Sequence, residues 1–107
     1  MDIVLLPVPF SNQRSQKVRP AVVVSNDALN AQSDDVILVP LTSVLKDVPC
    51  SVIISQGDLA EGKLLVTSRA RADKIFTAEK SLISMKIGAV KQGILAAIKQ
   101  GIIKSIE

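Results

Sequence analysis

Apolar positions along the chain change their spacing near residue 88, and that change organises everything that precedes and follows it. Before it, short β-branched runs stand between polar clusters, the signature of strands and turns. The run at 3–6 ends at Pro7 and Pro9, which cannot donate to a central ladder, and so predicts a first strand at an edge or ending there. Polar 11–17 has hairpin-loop composition. "AVVVS", from Ala21, resumes as a strand whose continuous apolar run implies burial on both faces. Polar "NDALNAQSDD" reads as an excursion with one helical turn capped by Asn26 or Asp27. Strands are predicted over 36–43 and 51–55, then one or two more across 62–77, with a loop at "GDLAEG" before them. Within the last segment "SRARAD" alternates, so that Arg69, Arg71 and Asp73 share an outer face and Ala70 and Ala72 point inward.

From Gly88 onward Val90, Ile94, Ile98 and Ile102 recur every four residues, with Leu95, Ile103 and Ile106 widening the stripe and lysines lying off it. This predicts an amphipathic C-terminal helix, weakened slightly by Gly93 and Gly101. Short strands closed by one helix imply a mainly β, α+β architecture: a small antiparallel sheet curled toward a barrel, with the helix against it. At 107 residues, one domain spanning 1–107 is expected.

Composition narrows the chemistry. Aromatic residues are only Phe10 and Phe76, so the core must be aliphatic. There is no histidine and one cysteine, Cys50, which leaves no zinc site, no internal disulfide and no imidazole acid or base. No metal or cofactor is expected, and a reducing cytoplasm fits best. No stretch approaches the ~20 apolar residues of a membrane helix. A net charge of +3 is compatible with a polyanionic partner without demanding one.

Three constellations remain. Arg19 precedes Pro20 at the mouth of a buried strand; a rigid backbone there would aim a guanidinium at a phosphate, although a loop simply ending at a strand explains it equally well. Thr42 and Ser43 in "PLTS" sit at a strand end, where hydroxyls ordinarily stabilise turns. Arg71 and Asp73 are either a solvated pair or a cation and general base acting on one phosphate.

In this order and spacing, "DIVLLPVPF", "KVRPAVVVSND", "VILVPLTS", "SRARADKIFTAEKSLI" and "IGAVKQGILAAI" resemble the MazF/PemK family of toxins, with the Kid-like members among them. The resemblance implies an SH3-like barrel with a C-terminal helix, a homodimer, and a cognate antitoxin that wraps it, with DNA met only through that complex. It also implies metal-independent cleavage of single-stranded RNA by 2'-hydroxyl attack, leaving a cyclic phosphate. The family's catalytic positions fall on Arg19, Thr42 and Ser43, and for Kid-like members on Arg71 and Asp73; Asp2, Arg14, Lys17 and Arg69 are expected along the RNA. Many relatives carry a glutamate in the loop before Arg-Pro, and this chain has none. The rival implied by the same scaffold is a CcdB-like toxin that traps DNA gyrase, or an inactive relative that serves as a regulatory partner.

Overall fold

In the computed structural model, residues 1–8 and 17–107 are described, and the chain forms an eight-stranded antiparallel sheet with one long helix. The strands are β1 (Asp2–Pro7), β2 (Val18–Val23), β3 (Asp35–Thr42), β4 (Ser51–Ile54), β5 (Leu59–Gly62), β6 (Ser68–Arg71), β7 (Phe76–Glu79) and β8 (Met85–Val90). A short helix, α1 (Asp27–Gln32), joins β2 to β3, and α2 (Gln92–Ile106) closes the chain. The hydrogen-bonded order is β4-β6-β3-β2-β1-β8-β5, with β7 added on β3. The edges β4 and β5 do not pair, so the sheet is a half-barrel. The hairpin loop expected over 11–17 lies outside the described residues except for Lys17.

Strand β3 is the organising element. Its first half pairs with β7, Asp35 opposite Glu79 through Leu38 opposite Phe76, and its end pairs with β6, Leu41 opposite Ala70 and Thr42 opposite Arg69. Both partners lie on one edge, and Pro40, which has no N–H to donate, falls in the gap between them. A 3-10 turn at Ala72–Lys74 carries the chain from β6 to β7 across that gap.

Because both faces of the central strands are covered, alternate residues feed two cores. Ile3, Val22, Val39, Leu41, Ile54 and Ala70 meet Ile98 of α2, flanked by Ile94, Leu95 and Ile102. On the other face Val4, Leu6, Val8, Ala21, Val23, Val36 and Leu38 pack with Phe76, Ala78 and Ile83. The burial of Ala21, Val22 and Val23 on both faces follows the sequence expectation. So does the cap of α1, where Asn26 Oδ1 accepts from the Leu29 amide at 2.8 Å.

The first strand ends at Pro7, one of the two placements its sequence allows: β1 is interior, between β2 and β8, and Pro7 takes its last position, opposite Val18, where the missing donor is tolerated. Two expectations are corrected. "GDLAEG" is a 3-10 turn at Gln56–Asp58 followed by β5, a strand of poor intrinsic formers held by pairing with β8. Gly62 there has φ of 83°, and an added Cβ would lie 2.2 Å from the Ile87 carbonyl, so only glycine admits this approach of the two strands. Finally, 88–90 end β8, and the helix starts at Gln92; Val90 belongs to the core through the strand. None of the described helices is long and apolar enough to cross a membrane.

Gly101 is the point at which α2 meets the sheet edge. A Cβ there would stand 2.6 Å from the Cys50 carbonyl oxygen and 3.0 Å from Ala72 Cβ, whereas one at Gly93 meets nothing within 4 Å. The residue that presents that carbonyl, Cys50, has φ of 66° and follows Pro49 in a turn closed by the Ser51 amide donating to Val48 O at 3.2 Å. Gly101→Ala is expected to destabilise the fold by about 1–3 kcal/mol through overpacking against backbone, and Gly93→Ala to stabilise it by about 0.5–1 kcal/mol through helix propensity. Urea denaturation of the two variants checks the opposite signs.

Candidate nucleic-acid interface

Register collects the predicted residues. Ala21 lies opposite Pro40, so Arg19 and Thr42, each two residues beyond that pair, continue the same face at the same end of the sheet. Thr42 lies opposite Arg69, Arg69 opposite Ile53, and Arg71 opposite Ser51. Alternation therefore puts Arg19, Thr42, Arg69, Arg71 and Ser51 on one face, turned away from the core formed by Leu41, Ala70 and Ile54. Arg19 also lies opposite Leu6, a member of the second core. The polar set thus occupies the face where that core gives out.

The side chains on this face differ in their freedom. Arg19 and Lys17 are exposed, and Lys17 O accepts from the Val8 amide at 3.3 Å, fixing the base of the hairpin. Thr42 is half-buried; its Oγ1 accepts from the Val44 amide at 3.1 Å, which bends the chain out of the strand and leaves the hydroxyl proton to donate elsewhere. Ser43 follows it in the open. Arg71 and Asp73 form a two-pronged pair, Nε donating to Oδ1 at 2.9 Å and Nη2 to Oδ2 at 2.7 Å. Hydrogen bonding to Arg71 holds the Asp73 carboxyl below its ordinary range, and the same bonds raise Arg71. Asp73 comes from the 3-10 turn, not from a continued strand, and this turn folds the carboxylate back onto the guanidinium two residues earlier.

Two predicted residues sit elsewhere in character or place. Arg69 is not an exposed charge: it is only 6% exposed, with Nη1 donating to Ser51 Oγ at 2.8 Å and Nη2 to Leu45 O at 3.3 Å. The expectation of charges converging on the outside therefore holds for Arg71 and fails for Arg69, which the chain over 43–50 covers. Asp2 is at the far end of β1, four residues from Leu6, about 13 Å at strand rise. It shares Lys86 with Glu61, at 3.3 and 2.7 Å, and is not brought to the Arg19 set. Arg14 lies outside the described residues. Ser51 was missed as a member of this face; the only signal for it was the alternation of β4, which has no meaning until its pairing with β6 is known.

Chemically, the face offers guanidinium and hydroxyl donors for an anion and one carboxylate held ionised. Among the described residues no three His, Cys, Asp or Glu side chains converge as metal ligands.

Comparison with known proteins supplies the context. The chain matches, over residues 1–106, the family described as "PemK-like, MazF-like toxin of type II toxin-antitoxin system". No curated protein sequence matches. Among solved structures, the Mycobacterium tuberculosis toxin MazF-mt6 superposes with a TM-score of 0.81 at 16% identity, over 99% of this chain and 96% of that one. An endoribonuclease in complex with its cognate antitoxin from a mycobacterial species gives 0.78 at 22% identity, covering 98% and 90%. A MazE-MazF structure from Deinococcus radiodurans also gives 0.78 at 22%, covering 98% and 92%. At these identities the structures establish a shared fold, and the match to the family over nearly the whole length carries the assignment: this chain belongs to the PemK-like, MazF-like toxins of type II toxin–antitoxin systems.

Proposed function

We propose that this toxin is an endoribonuclease that cuts single-stranded RNA without a metal ion, acts in the cytoplasm as a homodimer, and is neutralised by a cognate antitoxin. The observation that carries the reading is the shared face of Arg19, Thr42 and the Arg71–Asp73 pair, assembled from β2, β3 and β6. Solved relatives of the fold include one named an endoribonuclease in complex with its cognate antitoxin, which supports the same activity and the same kind of partner.

In the proposed reaction the RNA 2'-hydroxyl attacks the adjacent phosphorus and gives its proton to the Asp73 carboxylate. The P–O5' bond breaks, leaving a 2',3'-cyclic phosphate and a 5'-hydroxyl whose proton comes from water. Arg19, with the hydroxyls of Thr42 and Ser43, holds the phosphate and the charge that develops on it. Arg71 stabilises the departing oxygen as a cation, since a guanidinium does not give up its proton near neutral pH. Its pairing with Asp73 keeps the base ionised but weak. When the phosphate draws the Arg71 fork, the carboxylate loses those bonds and its affinity for the proton rises.

Incubation of the purified toxin with a long single-stranded RNA in excess chelator is expected to give discrete cuts with cyclic-phosphate ends. Arg19→Ala is expected to lower kcat/KM by about 10²–10³-fold. Uncut RNA across several substrates would remove the nuclease reading and favour a protein-trapping toxin.

The Arg71–Asp73 pair also sets a pH dependence. Because the folded carboxyl titrates below its unfolded value, the pair's stabilisation is complete above about pH 4 and is lost as pH falls through the folded value. In an NMR titration, Asp73 is expected to titrate below ~3.9 in the wild type and to move up toward that value in Arg71→Gln. Asp73→Asn with undiminished cleavage would exclude the carboxylate as base.

A further inference from the structure

We infer that Arg69 is a positioning residue of the proposed phosphate site: without touching RNA, it pins the crossover at 43–50 and so holds the hydroxyls of Thr42 and Ser43 in place. The inference rests on the RNA-cutting reading above. Topology creates the need for it. β6 lies between β3 and β4 and runs antiparallel to both, so the chain that leaves Thr42 beside Arg69 must cross β6 to re-enter at Ser51 beside Arg71. Residues 43–47 of this crossing are all exposed, so apolar burial does little to hold them.

Arg69 reaches the crossing from beneath at three points. Nη2 donates to Leu45 O at 3.3 Å, Nη1 donates to Ser51 Oγ at 2.8 Å, and Nη1 stands 3.6 Å from Asp47 Oδ1. Both halves of the loop are thereby tied to the residue directly opposite Thr42. This arrangement is poor as a source of stability. The Arg69 side chain is 8% exposed, while its carboxylate partner Asp47 is 98% exposed and contributes little at that distance. Nε is buried with no hydrogen-bond partner among the described residues. A guanidinium so incompletely satisfied costs stability relative to an apolar side chain of similar volume. What it supplies that a methionine or lysine does not is a planar fork spanning a carbonyl and a hydroxyl six residues apart.

The test compares wild type with Arg69→Met and Arg69→Lys, each checked for folding by circular dichroism; if the methionine variant does not fold, the lysine variant carries the test. Amide hydrogen exchange is expected to quicken over 43–50 in both. RNA cleavage is expected to fall about 10²-fold in kcat, as a misplacement of about 1 Å produces, with KM nearly unchanged. The salt dependence of RNA binding is expected to keep the wild-type slope, whereas Arg19→Ala reduces it by about 0.7 for one lost phosphate contact on a single strand. Full activity in both variants, unchanged exchange over 43–50, recovery by lysine, or a reduced slope in Arg69→Met would each overturn the inference while leaving the nuclease reading intact. A wild-type protein that cuts no RNA would instead overturn the nuclease reading and this role together.

Discussion

One edge of β3 serves two partners, and the site depends on that change of partner. β7 occupies the edge up to Leu38 and β6 takes it from Leu41, with Pro40 between them where no donor is required. Were β3 to keep a single partner along its length, the sheet would continue as a regular ladder and the 3-10 turn at Ala72–Lys74 would have no place. Because it changes, β6 and its arginines are swung beside the end of β3, and Asp73 is turned back onto Arg71. The same turn packs against α2, so the helix, the corner and the candidate site share one support.

The charges on this face are in three different physical states. Arg19 is exposed and available to an incoming anion. Arg71 is already engaged by a carboxylate that competes with any phosphate for its fork, so charge recognition and control of the proposed base are parts of one exchange. Arg69 is covered and satisfied only in part, a structural cation beneath a polar crossover. Three arginines from a count of basic residues therefore stand in three different environments, set by burial and by the partner each one finds.

The strand runs were legible because burial on two faces writes itself as continuous β-branched sequence, as in Ala21, Val22 and Val23. The cap at Asn26 was legible because a side chain that satisfies a local amide needs only its neighbours. β5 and β8 were not. "LAEG" has little strand propensity, and "MKIGAV" runs into a helical stripe; β8 exists as a strand because β1 and β5 flank it, and β5 because β8 lies beside it. Gly101, which lowers helix propensity when the sequence is considered alone, is required where the helix approaches the Cys50 carbonyl.

By itself, the sequence determined the β-rich class with a closing helix, the aliphatic core, the absence of imidazole chemistry, and the family likeness carried by the Arg-Pro, Pro-Leu-Thr-Ser and Arg-Ala-Arg-Ala-Asp segments. Those features depend on composition and on spacing within a few residues, which the linear chain displays directly. The tertiary structure alone decided that Arg19 and Thr42 continue one face, that Ser51 joins it, that Asp2 does not, and that Arg69 is buried while Arg71 is not. In "SRARAD" the two arginines are equivalent by alternation. They become different only when a crossover between non-adjacent strands covers one of them, and nothing local in the sequence encodes which strands a crossover must pass.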